Sequence, residues 1–139
     1  MSHDRLERFA LIGLVGFGGV SALAGSYGLL AGSLGMEQGV LDGSPFTSFT
    51  IPALILGSVV GGSQLVALVG LLRHRGWSVI GAGAAGCIMT GWIVGEILLL
   101  GSDPGMMRNL QGIYLLLGLL EAALAALLLR RTQELSPTA

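Results

Sequence analysis

Three polar side chains sit in long apolar runs of this sequence: Glu96, Glu121 and the amide Gln64. An uncompensated carboxylate in hydrocarbon is costly, so a residue of this kind faces protein or water and is a candidate for proton, cation or head-group chemistry. Tyr114 and Tyr27 join the candidate set because both fall near the level of Glu96. His3 and His74 lie outside the apolar runs and Cys87 is the single cysteine, so the chain offers no bis-histidine haem site, no cluster of metal ligands and no CxxC pair. No cofactor is expected. Neither a GxSxG nucleophile motif nor a phosphate-binding loop occurs, which leaves an enzyme only a carboxylate or a tyrosine to work with. Cys87 reads as a buried small hydrophobe.

The elements that must hold these residues follow from composition. Of 139 residues 53% are hydrophobic and 11% charged, with a mean hydropathy of +0.81, against about 25% charged in an ordinary soluble domain. A water-soluble fold could not hide so much apolar surface. The net charge is -1 and the seven basic residues, all arginine, stand singly or in pairs. No basic face exists for nucleic acid, and the lipid bilayer is the expected partner.

A spanning helix needs about 20 mostly apolar residues, and four stretches meet that requirement: Phe9 to Leu34, Ile51 to Leu72, Trp77 to Leu100 and Leu110 to Leu129. They occupy most of residues 1–139, which read as a single transmembrane domain. Continuous apolar runs of this length exclude the alternating strands of an outer-membrane barrel. The expected fold is all-α, a polytopic membrane protein built as a four-transmembrane-helix bundle. Arg5 and Arg8 precede the first span, Arg73 and Arg75 join the second to the third, and Arg130 and Arg131 follow the fourth. The other side carries Glu37, Asp42, Asp103 and only Arg108, so the positive-inside rule places both termini in the cytoplasm. A signal peptide is the alternative reading of the first span, with Ala22-Leu23-Ala24 as its cleavage site and three spans remaining. Asp4 and Glu7 dilute its basic region and the apolar character continues through Leu34, which favours a span.

Glycine numbers 24 and clusters within the spans. Small residues let helix backbones approach in a membrane, and Gly57 to Gly61 and Gly91 to Gly95 have the GxxxG spacing. Packing within the chain is the favoured reading, and a homodimer face the alternative. In the outward loop, Ser44-Pro45 reads as an N-cap and first helical residue, predicting an interfacial turn from Pro45 to about Phe49 with a bend at Pro52. Trp77 reads as an interfacial belt residue and Trp92 as lying well inside.

The halves also invite comparison. Gly32-Ser33 closes the first span as Gly101-Ser102 closes the third, and Gly61-x-x-Gln64 with Arg73 aligns without gaps to Gly118-x-x-Glu121 with Arg130. This pattern predicts two parallel helical-hairpin repeats about an axis along the membrane normal. At ~1.5 Å per residue, Gln64 and Glu121 each lie ~12 Å from the cytoplasmic ends of their spans. They share a level. Tyr114, Gly118, Glu121 and Ala125 form one stripe, expected to point into the bundle. In the structural reading Glu121 is protonated and donates to Gln64 or a backbone carbonyl as interhelical glue, while Glu96 snorkels to the outer interface near Arg108. In the functional reading Glu121 and Gln64 line a small polar cavity for a proton, cation or ligand head group.

Gly43-Ser44-Pro45-Phe46, Ile51-Pro52, a glycine-rich second span and Gly112-Ile113-Tyr114 opening the fourth make the sequence resemble a group of uncharacterised small four-helix bacterial integral membrane proteins. More loosely it is similar to DoxX-like four-helix proteins. The resemblance implies a four-helix inner-membrane protein and transfers no active site. Small multidrug exporters match in size, but their essential glutamate is in the first span, and here that span holds no acidic residue. The expected function is non-enzymatic: an accessory subunit of a larger membrane complex, or a binder of lipid-like or small apolar molecules. The alternatives are a proton-linked small-solute transporter acting as a homodimer and a redox-associated membrane enzyme subunit.

Overall fold

The computed structural model describes residues 3–101 and 105–136. Ser102 and Asp103, used above in the repeat and the charge count, lie outside them. Four long helices form, α1 (His3–Leu30), α2 (Thr50–Leu72), α3 (Ser78–Leu100) and α4 (Met106–Glu134), with a 3₁₀ turn at Gln38–Leu41 and no strand among the described residues. All four are long and apolar enough to cross a membrane. Each packs on the next and α1 closes on α4, so α2 and α4 face one another diagonally. Only 22–33% of the residues in the four most apolar windows are buried within the bundle. Leucines and valines such as Leu98, Val20 and Val66 cover its outside, a surface that would aggregate in water and that acyl chains solvate. The chain is a multi-pass membrane protein.

Local chemistry sets the helix ends. The first span stops at Leu30, short of the expected Leu34, in a Schellman motif: Ser33 N–H donates to Gly28 O (3.0 Å) and Gly32 N–H to Leu29 O (3.3 Å), with Gly32 at φ +65°. Leu34 then folds back over Gly28, where a Cβ would lie 2.9 Å from its Cγ. Helix α2 ends the same way, with Arg75 N–H on Gly70 O and His74 N–H on Leu71 O, but the left-handed position is taken by His74 at φ 51°. Trp77, expected at the interface, is half exposed there and lays its ring over Gly70. At the other extremes α1 begins as early as His3 and α4 runs on to Glu134, because the two ends hold each other. Arg131 Nη1 lies 2.7 Å from Glu7 Oε1 and 3.7 Å from Asp4 Oδ1. Arg8 Nη2 donates to Leu71 O at the end of α2 (2.8 Å), a cation on a helix C-terminus.

The loop before α2 departs from expectation. Residues 45–49 form bends and a turn but no helix, and the helical turn falls earlier, at Gln38–Leu41. Ser44 makes a local turn: its hydroxyl donates to Leu41 O (2.7 Å) and accepts from Phe46 N–H (3.3 Å) as a cap would, but no helix follows it directly. Pro52 sits in the first turn of α2, where its missing N–H has no partner to lose. The irregularity of this helix lies downstream, in a π segment at Leu56–Gly61. Ser26 of α1 packs on the first turn of α2 and donates to Ala53 O (2.7 Å), just before the segment, a contact that Gly57 permits, since a Cβ there would be 2.5 Å from the serine oxygen.

The two halves differ in detail among the described residues, and the expected repeat is not confirmed. Gly32 stands in a Schellman turn, whereas Gly101, also at positive φ (+77°), turns the chain differently, with ψ -174°. Helix α2 carries a π segment and ends at Leu72 beside Arg73, while Arg130 lies inside α4. Cys87 is exposed on the outside of α3, correcting its expected burial, because Gly86 takes the inward position one residue, about 100° of helix, away.

Candidate functional site

Gln64 and Glu121 meet at the centre of the bundle. Gln64 Nε2–H donates to Glu121 Oε2 at 2.8 Å, and both residues are fully buried. Glycines on the flanking helices make the room. A Cβ on Gly18 of α1 would lie 3.2 Å from Gln64 Cδ, and one on Gly19 would lie 3.3 Å from Gln64 Cβ. On α3, a Cβ at Gly86 would meet Glu121 Cβ at 2.8 Å and Gly118 O at 2.7 Å, so backbone rests on backbone. The expected α4 stripe faces inward: Gly118, Glu121 and Ala125 are buried and Tyr114 half-buried. Gln64 Oε1 and Glu121 Oε1 have no hydrogen-bond partner. A proton on Glu121 turns these two acceptors into a donor and an acceptor.

Apolar layers enclose the pair on both sides. Leu11, Val15, Ala67, Leu71, Ala85 and Ala125 fill the end where the arginines gather. On the other side Ala22, Val60, Met89 and Leu117 separate the pair from open space. Beyond that layer all four helices enclose a cavity of about 500 Å³, and Gln64 and Glu121 do not line it. The close Gly86–Gly118 approach and the Met89 side chain fill the space beside the pair on that side.

The cavity walls are mainly apolar, including Leu56, Met89, Ile93 and Leu110. Its polar lining comes from Glu96, Gln111, Tyr114, Trp92 and Ser21. Glu96 does not reach Arg108. Its Oε1 accepts from Gln111 Nε2 at 3.5 Å, and the same amide nitrogen donates to Gly101 O at 3.3 Å. Both bonds are long for their type. Glu96 also borders a second cavity, of about 400 Å³, between α2 and α3, where Gly91 and Gly95 leave open space. Gly57 and Gly61, by contrast, pack on α1 against Ser26 and Leu23, so one glycine pair serves internal packing and the other does not.

Tyr114 lines the larger cavity, its ring stacked on Phe17 of α1 with centroids 6.5 Å apart. Tyr27 is not brought to Glu96. It is 73% exposed on the outer face of α1, because Ser26 takes the inward position beside it. Sequence reasoning missed Gln111, which is 3% exposed. The available signal was the α4 stripe itself, since Gln111 precedes Tyr114 by three residues on the same face. Comparison with family models, curated proteins and solved structures gave no match to this chain.

Proposed function

We propose that this is a non-enzymatic protein of the bacterial inner membrane that binds a small lipid-like or apolar molecule within its helix bundle. One observation carries the reading, the cavity of about 500 Å³ walled by apolar side chains with a few polar groups gathered near one end, the usual character of small-molecule sites. Residues at its edge on α1 and α4, Ala24 and Leu110, are exposed on the face that lipid covers. The ligand thus reaches the cavity sideways from the bilayer. Both termini lie in the cytoplasm in this reading, supported by the meeting of Arg8 and Arg131 with the other helix ends at one pole of the bundle.

A role as an accessory subunit or homodimer is the second reading, favoured by the open surface at Gly91 and Gly95. Native mass spectrometry after extraction in mild detergent tests both. The expected result is one bound amphiphile per chain, lost in Ser21→Phe, which fills the cavity. Recovery of ligand-free wild-type protein bound to a stoichiometric second chain would instead select the subunit reading.

A further inference from the structure

We propose that the larger cavity selects a ligand with a hydroxyl head group, held by Glu96, Gln111 and Trp92. The inference rests on the ligand-binding reading above and names the chemistry of its polar end. Gln111 is almost fully buried, lines the cavity, and its Oε1 has no hydrogen-bond partner among the described residues. A buried carbonyl oxygen left unpaired costs about 1–3 kcal/mol in a protein interior. Trp92 lines the same cavity one helical turn before Glu96, and its buried Nε1–H faces the Glu96 carboxyl group without reaching hydrogen-bond geometry. Glu96 adds carboxylate oxygens, one of which receives only the 3.5 Å contact from Gln111.

These groups ask for a particular partner. Glu96 and Gln111 Oε1 accept, Trp92 Nε1 donates, and no arginine or histidine among the described residues lines the cavity. A carboxylate or phosphate head would face Glu96 with no cation to balance it. With Glu96 protonated, since a lone carboxylate in hydrocarbon is costly, an ammonium head would find no counter-charge either and would leave the indole N–H unpaired. A hydroxyl both donates and accepts, so it can pair with an acceptor and with Trp92 together. The Gln111 amide is held by two long bonds, 3.3 and 3.5 Å, so turning it toward a head group gives up little. An apolar tail then extends along Met89, Leu56 and Ile93.

The test uses full-length protein in phosphatidylcholine nanodiscs with Trp77→Phe, so that Trp92 is the one remaining tryptophan and reports on the cavity. Dodecanol, dodecyl methyl ether, dodecylamine and dodecanoic acid are titrated, each corrected for partition into protein-free nanodiscs. The expected result is that dodecanol binds about tenfold more tightly than the ether, which cannot donate, and than the acid and the amine. Gln111→Met should bring dodecanol down toward the ether while leaving the ether unchanged. Equal affinities for all four heads, or tightest binding of the amine or the acid, would overturn the head-group inference and leave the cavity reading standing. No fluorescence response to any of the four would overturn the cavity reading itself. Should Gln111→Met fail to fold, the alcohol-to-ether ratio in the parent protein still decides.

Discussion

Gln64 donates a 2.8 Å hydrogen bond to Glu121 across the diagonal of the bundle, joining two helices, α2 and α4, that are not neighbours around the ring. The pair ties the centre together where apolar contact alone would specify it weakly. Interhelical polar contacts in membranes contribute about 1 kcal/mol, so it acts as a register pin more than as a source of stability. Glu121→Gln keeps the shape and hydrogen-bonding capacity, and its midpoint in a denaturing-detergent titration should stay within about 1 kcal/mol of the parent. Gln64→Leu orphans the carboxyl group and should cost about 1–3 kcal/mol. Changing both residues to leucine should cost less than the sum of the single changes, and strict additivity would show that the two side chains are not coupled.

The α3–α4 crossing rests on Gly86 and Gly118. A methyl at Gly86 would meet backbone atoms at 2.7 and 2.8 Å, which cannot turn aside. Gly86→Ala should therefore destabilise the bundle by about 1–3 kcal/mol. Gly91→Ala, only five positions on in the same helix, meets nothing within 4 Å and should be close to neutral. Equal effects of the two substitutions would contradict the crossing described.

His74 occupies a left-handed position, φ 51°, that glycine adopts without strain. Replacing it with glycine should raise stability by a few tenths of a kcal/mol to about 1 kcal/mol. His74→Val should do the opposite. A thermal denaturation series in detergent would rank the three, and a destabilised glycine variant would mean the histidine ring makes a contact that matters more than its backbone.

At the pole where the helix ends meet, the two arginine contacts should differ. Arg131 is half exposed, and its ion pair with Glu7 is open to screening, so Arg131→Ala should cost less than about 1 kcal/mol and less still at high salt. Arg8 covers the last carbonyls of α2 from a partly buried position. Arg8→Ala should cost more than Arg131→Ala, with little salt dependence. Reversal of that order would be the informative failure.

Topology is open to direct labelling. In a Cys87→Ala background, a cysteine at exposed Gly39 should react with a membrane-impermeant maleimide in intact cells, and a cytoplasm-dependent reporter fused after Ala139 should be active. Labelling of Gly39 only after membrane rupture would invert the proposed orientation.

The four spans, the inward stripe on α4 and the meeting of Gln64 with Glu121 were legible in the sequence. Each depends on hydropathy and on helical periodicity, which one chain carries in full: equal depth and an inward face are enough to bring two polar groups together. The position of the cavity was not legible. Gln64 and Glu121 looked like its lining, but whether polar residues border a void or a tight contact depends on how closely two backbones approach. That distance was set by Gly86 against Gly118 and by Met89, on helices whose rotation no local pattern specifies. Rotation likewise sent Tyr27 and Cys87 outward, since within a bilayer an apolar helix can turn its faces toward lipid or protein at similar cost. Only the assembled bundle decided that Glu96 and the overlooked Gln111 would share one wall, because their pairing joins α3 to α4 through side chains fifteen positions apart in the chain.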